Sequence, residues 1–286
     1  MNKKLSIITI NYNNCEGLRK TMKSVLSQKA FEAFEYIIVD GGSDDGSLDL
    51  IKSFSDRVTR WVSERDKGIY NAMNKGVLLA EGEYCLFINS GDVLHDSDVI
   101  NNVFPRLGGV GFVIGRVKLL KNGELSRAND PLTMQCFYNG SIPHPATFIR
   151  RDLLMSCPYD ESYKIVSDWK FTIQKIVIEN VSYKLIDTII SDYDCNGVSS
   201  VNTGFVNEER RRVYAELIPE RILLDYRKFY DGEGYTNTLY DNFFIDLREY
   251  RRFSSVIYSL DVFLMRVIAI FRKSAKFANR YPLRRN

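Results

Sequence analysis

Four strand-like runs (Leu5–Asn11, Glu35–Asp40, Thr59–Ser63 and Glu83–Asn89) alternate with three segments of helical spacing (Glu16–Ser27, Ser47–Phe54 and Ile69–Ala80). Strands joined by helices return to the same side of a sheet, so this order predicts a parallel sheet with right-handed crossovers. In the fourth run, Tyr84 to Ile88 are apolar without alternation, as expected for a strand covered on both faces in the middle of that sheet. Ser47 is expected to cap the second helix. Ile69, Met73, Val77 and Ala80 form the expected buried stripe of the third.

Every one of these strands stops in polar residues. The ends are Asn11-Tyr12-Asn13-Asn14, Asp40-Gly41-Gly42-Ser43-Asp44-Asp45-Gly46, Glu64-Arg65-Asp66-Lys67-Gly68 and Asn89-Ser90-Gly91-Asp92. In a parallel sheet they converge on one rim, where open α/β sheets bind polar ligands such as nucleotides. Asp92 beside Gly91 suits a hard divalent cation that also touches phosphate oxygens. Asn, Gly and Asp are also ordinary turn formers, so this stretch alone does not separate a site from a turn.

Composition excludes several classes. The 286 residues are 45% hydrophobic and 26% charged, as in folded soluble proteins. Five scattered cysteines (Cys15, Cys85, Cys136, Cys157 and Cys195) without a CxxC pair point to reduced thiols in the cytoplasm. Met1-Asn2-Lys3-Lys4 runs into the first strand without a leader-like segment, which agrees. Two histidines, His95 and His144, exclude a multi-His metal site. Net charge is +3, with seven basic residues and no acid in residues 266–286; subtracting them leaves the body at −4. A mildly acidic body argues against nucleic acid as a partner.

From Gly111 the pattern changes. Gly111–Leu120 and Glu124–Arg127 read as a hairpin across Lys121-Asn122-Gly123, and Ile142–Ile149 as a Pro-punctuated loop entering a strand. Ser167–Glu179 is amphipathic and helical, with Trp169, Ile173, Ile176 and Val177 inward; Ser182–Asp192 returns as a strand. Beyond about Val198 the chain reads as helices, Phe205–Tyr230, Leu239–Tyr250 and Phe253–Phe277. Asp261 and Arg266 make the last a poor membrane span. With its basic end it fits either an interfacial membrane helix or a helix packed on the body or on a second copy in a homo-oligomer.

The blocks Ser6–Asn13, Ile37–Ser47, Ser63–Gly76 and Asn89–Asp92, matching in order, resemble a family 2 glycosyltransferase of the GT-A fold. The third and fourth are similar to bacterial enzymes that build exopolysaccharide, colanic-acid-like or O-antigen repeats. The resemblance is dense over residues 4–95, thinner over 140–190 and absent from the tail. It implies an α/β fold with a mostly parallel central sheet flanked by helices. Residues 1–200 would form the transferase domain (1–95 nucleotide-binding, 96–200 acceptor-binding) and residues 201–286 a helical extension with a basic amphipathic tail.

It also implies an inverting transfer from a nucleoside-diphosphate sugar, UDP-linked in preference, to a hydroxyl of a glycan or lipid-linked glycan. The place would be the cytoplasm or the cytoplasmic face of the inner membrane, with residues 253–286 in peripheral contact. By resemblance, Thr9, Asn11, Tyr12, Asp40, Gly42, Asp66, Lys67, Asn74, Ser90, Gly91 and His144 form the donor site. Asp40 would meet base or ribose with help from Asn11, Tyr12 and Asp66, and Tyr12 would stack on the base. His144 would touch diphosphate, metal or acceptor. Asp92 matches the last carboxylate of the family's DxD-type motif and would bind Mg²⁺ or Mn²⁺. The motif's other carboxylate positions are Asn89 and Gly91 here, a departure that leaves one protein carboxylate for the metal.

Asp168 fits the family's catalytic base, which takes the acceptor hydroxyl's proton during in-line displacement. Ser167-Asp168 is also an ordinary helix start. Two other readings stand beside the transferase: a sugar nucleotidyltransferase, which usually carries a Gly-rich basic loop where this chain has Asn11–Cys15, and a non-catalytic relative, supported only by the sparse carboxylates.

Overall fold

The computed structural model describes residues 3–126, 130–193 and 203–228. The chain divides into two compact units, Met1–Ile218 and Pro219–Asn286. Thus the helix Thr203–Leu217, which the sequence reading assigns to the extension, groups with the sheet-bearing unit. In the second unit the described residues include one helix, Glu220–Tyr226. Cys195, Arg127, the expected helices Leu239–Tyr250 and Phe253–Phe277, and the basic tail lie outside the described residues. No helix among the described residues is long and apolar enough to cross a membrane.

The first unit is built on one mixed eight-stranded sheet of order β3-β2-β1-β4-β7-β6-β8-β5. Its strands are β1 (Leu5–Asn11), β2 (Glu35–Asp40), β3 (Arg60–Ser63), β4 (Tyr84–Phe87), β5 (Val93–Leu94), β6 (Phe112–Leu119), β7 (Thr147–Arg150) and β8 (Tyr183–Tyr193). Helices α1 (Cys15–Leu26), α2 (Ser47–Ser53) and α3 (Ile69–Leu79) make the crossovers between the first four strands. Those four strands are parallel. β1, β2 and β4 are buried along their whole length, which matches their unbroken apolar runs. β4 is not in the middle of the parallel set, as its composition suggests. It is parallel to β1 on one side and antiparallel to β7 on the other. Burial on both faces is common to both arrangements, so an apolar run does not report its neighbour's direction.

Register brings the strand ends together. Asn11 is opposite Asp40, and Asp40 opposite Ser63. The ladder continues past β4, where the Ser90 N–H donates to the Ile10 carbonyl at 3.1 Å. The four polar ends therefore share one rim. The hairpin after β6 forms as expected through Ser126, with the Leu119 N–H on the Glu124 carbonyl and the Ser126 N–H on the Val117 carbonyl, both at 2.8 Å.

Local corrections have local causes. Ser47 is the first helical residue of α2 and not its cap. The Asp45 carboxylate accepts from the Ser47 N–H (3.1 Å) and hydroxyl (2.6 Å), because Gly46, at φ +90°, turns the chain one residue later. In α3 the buried face is Tyr70, Ala72, Met73, Gly76 and Val77, while Ile69 is exposed. After the short helices α4 (Val99–Val103), α5 (Met134–Asn139) and α6 (Arg151–Ser156), the segment Ser167–Glu179 is α-helical (α7) only through Thr172 and continues as a π-helix over Ile173–Ile178, so Val177 rotates to a half-buried position. The expected helix Phe205–Tyr230 breaks at Ile218-Pro219.

Close approach of α3 to β1 depends on Gly76. A Cβ there would lie 2.5 Å from the Ile8 side chain, a fully buried group. Gly76→Ala is expected to destabilise the fold by about 1–3 kcal/mol through overpacking. An unchanged urea midpoint would show that α3 can lift off the sheet at no cost.

Candidate functional site

A cleft of about 1000 Å³ opens at the polar rim. Asn11, Tyr12, Asp66, Ser90, Gly91, Asp92, His144 and Asp168, all singled out from the sequence, line it. The chain thus brings residues from the ends of β1, β3 and β4 against the loop before β7 and the start of α7.

The turn Asn89–Asp92 is held rigidly from behind. Thr21 of α1, fully buried, donates to the Asp92 carbonyl (2.7 Å) and accepts from the Gly91 N–H (3.0 Å). Asn14 caps α1 through its side-chain oxygen on the Gly17 N–H, and its amide donates to the Ser90 carbonyl at 3.1 Å. Gly91 has φ +111°, a conformation that favours glycine, so a second carboxylate at this position would strain the turn. Asp92 is 8% exposed, and the Asn89 side-chain oxygen is buried without a hydrogen-bond partner among the described residues. A hard cation takes oxygen donors of this kind. The described residues hold no group of three or more His, Cys, Asp or Glu that could bind a metal by themselves.

Next to this turn, Tyr12 stands 66% exposed at the cleft. A Cβ on Gly41 would lie 2.4 Å from an Asp66 carboxylate oxygen and 3.1 Å from the Tyr12 ring, so Gly41 lets the ring and the carboxylate close over the backbone. Asp66 also accepts from the Gly68 N–H at 2.9 Å, which fixes it at the loop's edge.

Five expected donor residues are placed elsewhere. Thr9 is fully buried, its hydroxyl donating to the Ile88 carbonyl at 2.7 Å and paired with Tyr36 at 3.1 Å. Asp40 is fully buried and does not line the cleft. Its oxygens accept from Asn11, from the Ser43 hydroxyl and N–H, and from Ser63, at 2.6–3.0 Å. Burial raises the Asp40 carboxyl, but these hydrogen bonds outweigh it and leave it below its ordinary value. It reaches the cleft through Asn11, whose side-chain oxygen is buried without a hydrogen-bond partner among the described residues. Gly42, at φ +79°, turns the chain against Arg65. Lys67 is exposed and does not line the cleft; its N–H donates to Asn71. Asn74 is a structural clamp that exchanges hydrogen bonds with both backbone groups of Tyr159 (2.9 and 3.0 Å) and donates to Glu161. Thr9, Asp40 and Asn74 are thus polar groups spent on the fold, which residue type alone does not reveal.

At the other end, Asp168 lies in the first turn of α7, and its carboxylate accepts from the Tyr70 hydroxyl at 2.6 Å. The N-cap residue of α7 is Val166, which offers no side-chain cap. His144 stacks on Phe87 at 5.0 Å between ring centres, with Nε2 3.0 Å from the Tyr159 hydroxyl. Burial lowers the His144 pKa and the Asp168 charge only partly opposes this, so the ring is neutral at neutral pH.

Two cleft residues escape the sequence reading. Arg210, on the helix Thr203–Leu217, is the one cation among the described residues lining the cleft. Its guanidinium lies 4.8 Å over the Trp169 ring, and its Nε is buried without a hydrogen-bond partner among the described residues. In sequence it sits in Glu208-Glu209-Arg210-Arg211-Arg212, indistinguishable from a solvated charge run. Tyr70 hides in an apolar stripe.

Comparison with known proteins agrees with this geometry. A family model described as "Glycosyl transferase family 2" matches residues 6–145. The chain is 31% identical over 205 residues to an uncharacterized glycosyltransferase of Mycobacterium tuberculosis (strain ATCC 25618 / H37Rv), covering 68% of this chain and 77% of that one. It is 30% identical over 203 residues to a PGL/p-HBAD biosynthesis glycosyltransferase of Mycobacterium bovis (strain BCG / Pasteur 1173P2), covering 66% and 76%. Among solved structures, S. aureus TarS 1–349 in complex with UDP-GlcNAc superimposes with a TM-score of 0.61 at 19% identity, over 74% of this chain and 66% of that chain. The mannosyltransferase PcManGT from Pyrobaculum calidifontis, in complex with GDP-Man and Mn²⁺, gives 0.52 at 16% identity, over 73% and 60%. The fold is that of the GT-A glycosyltransferases. The chain belongs to glycosyltransferase family 2.

Proposed function

We propose that the cleft binds a nucleoside-diphosphate sugar, UDP-linked in preference, and transfers the sugar with inversion to a hydroxyl of a glycan or lipid-linked glycan. The observation that carries this is the shared cleft: Tyr12, Asp66 and Asp92 line its walls together with Asp168. In this reading the base stacks on Tyr12 and meets Asp66, and the diphosphate lies over Ser90-Gly91-Asp92. Asp92 and the Asn89 side-chain oxygen would hold Mg²⁺ or Mn²⁺, which when bound offsets charge on the leaving diphosphate. Arg210, which lines the same cleft, supports a further share in neutralising the diphosphate. The acceptor oxygen attacks the anomeric carbon, the bond to the phosphate oxygen breaks, and the diphosphate leaves with the electron pair. Asp168 takes the acceptor's proton. A neutral His144 brings no charge to the diphosphate and fits acceptor or sugar contact better.

The UDP-GlcNAc bound to the TarS structure supports a UDP-sugar donor, and the name of the M. bovis relative supports a lipid-linked acceptor. The basic residues of 266–286 support a working place on the cytoplasmic face of an anionic membrane. A thermal-shift panel of nucleotides and nucleotide sugars, with Mn²⁺ and with EDTA, tests the reading. A metal-dependent rise in melting temperature with UDP or a UDP-sugar is expected. A panel flat in every nucleotide would remove the donor assignment.

A further inference from the structure

Of the block Asp66-Lys67-Gly68-Ile69-Tyr70-Asn71-Ala72-Met73-Asn74, the donor reading uses Asp66 alone. Tyr70 is 4% exposed in the first turn of α3. Its hydroxyl is 2.6 Å from the Asp168 carboxylate and 2.5 Å from the Ile165 carbonyl. A hydroxyl has one proton, so these two acceptors compete for it. Burial first, and then the Asp168 charge, push the Tyr70 hydroxyl well above its ordinary value, so it remains a donor.

Asp168 is not the N-cap of α7: that residue is Val166, which offers no side-chain hydrogen bond, and the Asp168 carboxylate accepts from Tyr70 instead. Glu209, 2% exposed, accepts from the backbone N–H groups of Lys164, Ile165 and Val166 at 2.7, 2.9 and 3.2 Å. The turn leading into α7 is therefore fixed by Glu209, and the carboxylate of Asp168 is oriented from across the cleft wall by Tyr70. On the same helix, Asn71, the next residue, and Asn74, one turn on, hold Glu161 (3.0 and 3.1 Å). The start of α3 thus joins the loop that carries Asp66 to the segment that carries Asp168.

We infer that Tyr70 is a positioning residue for the transfer reaction: its hydroxyl holds the Asp168 carboxylate in the orientation from which it takes the acceptor's proton. The inference rests on the reading of Asp168 as the base. A base free to rotate loses the alignment that makes proton transfer efficient.

Tyr70→Phe removes the hydroxyl and keeps the ring. It is expected to lower kcat about 10- to 100-fold while the donor KM stays within about twofold, since the nucleotide end is untouched. In an Asp168→Asn background the same change is expected to lower kcat no further, because Tyr70 acts through Asp168. Wild-type kcat in Tyr70→Phe with only a lower melting temperature would make the hydroxyl a packing group and overturn the inference. So would a full additional loss in the double variant. Wild-type turnover in Asp168→Asn alone would instead remove the base assignment itself, which separates the two failures.

Discussion

Asp168→Asn is expected to bind the donor as the wild type does and to lose ~10²–10⁴ in kcat, the range for a missing general base. Asparagine keeps the shape, and its side-chain oxygen can still accept from the Tyr70 hydroxyl that Asp168 accepts at 2.6 Å. It cannot take a proton from an acceptor hydroxyl. The helix-start reading of Asp168 predicts the opposite pattern: turnover intact and stability lower by about 0.5–2 kcal/mol, the usual effect of losing a cap. The structure makes those outcomes separable, because the N-cap residue of α7 is Val166 and the Asp168 carboxylate accepts from Tyr70 across the cleft wall. Steady-state kinetics together with calorimetric titration of UDP would decide. Wild-type kcat with a lowered melting temperature would return Asp168 to a structural role.

The parallel half of the sheet was legible because every strand there ends in a polar loop and β1, β2 and β4 are buried apolar runs. β1 and β2 have the bounds that hydropathy alone draws. That they converge on one rim follows from parallel pairing, and Asn11, Asp40 and Ser63 in register show it. The antiparallel insertion of β7 between β4 and β6 was not legible, since it depends on long-range pairing that leaves no local period. The site divides along the same line. Tyr12, Asp66 and Asp92 stand at strand ends and could be placed by counting. Asp40 and Asn74 occupy equally plausible positions, yet both are consumed by internal hydrogen bonds. Arg210 comes from a helix more than a hundred residues later in the chain. Its role depends on a packing contact with Trp169 that no spacing rule supplies.

Asp92→Ala is expected to weaken donor binding in Mn²⁺ by about 2–5 kcal/mol, the usual loss when one partner of a desolvated charge pair is removed. That is roughly 30- to 5,000-fold in Kd. The effect should be large because the Asn89–Asp92 turn holds a single carboxylate and the described residues contain no cluster able to replace it. Thr21 holds this turn by its backbone at Gly91 and Asp92, hydrogen bonds that the substitution leaves in place. EDTA should weaken the wild type to the level of the variant and leave the variant unchanged. What remains in both cases would be the metal-independent share, which the Arg210 guanidinium and stacking on Tyr12 are placed to provide. An EDTA response in Asp92→Ala as large as in the wild type would sink Asp92 as the metal ligand. A wild type indifferent to EDTA would shift the neutralisation of the diphosphate to Arg210, the one cation among the described residues lining the cleft.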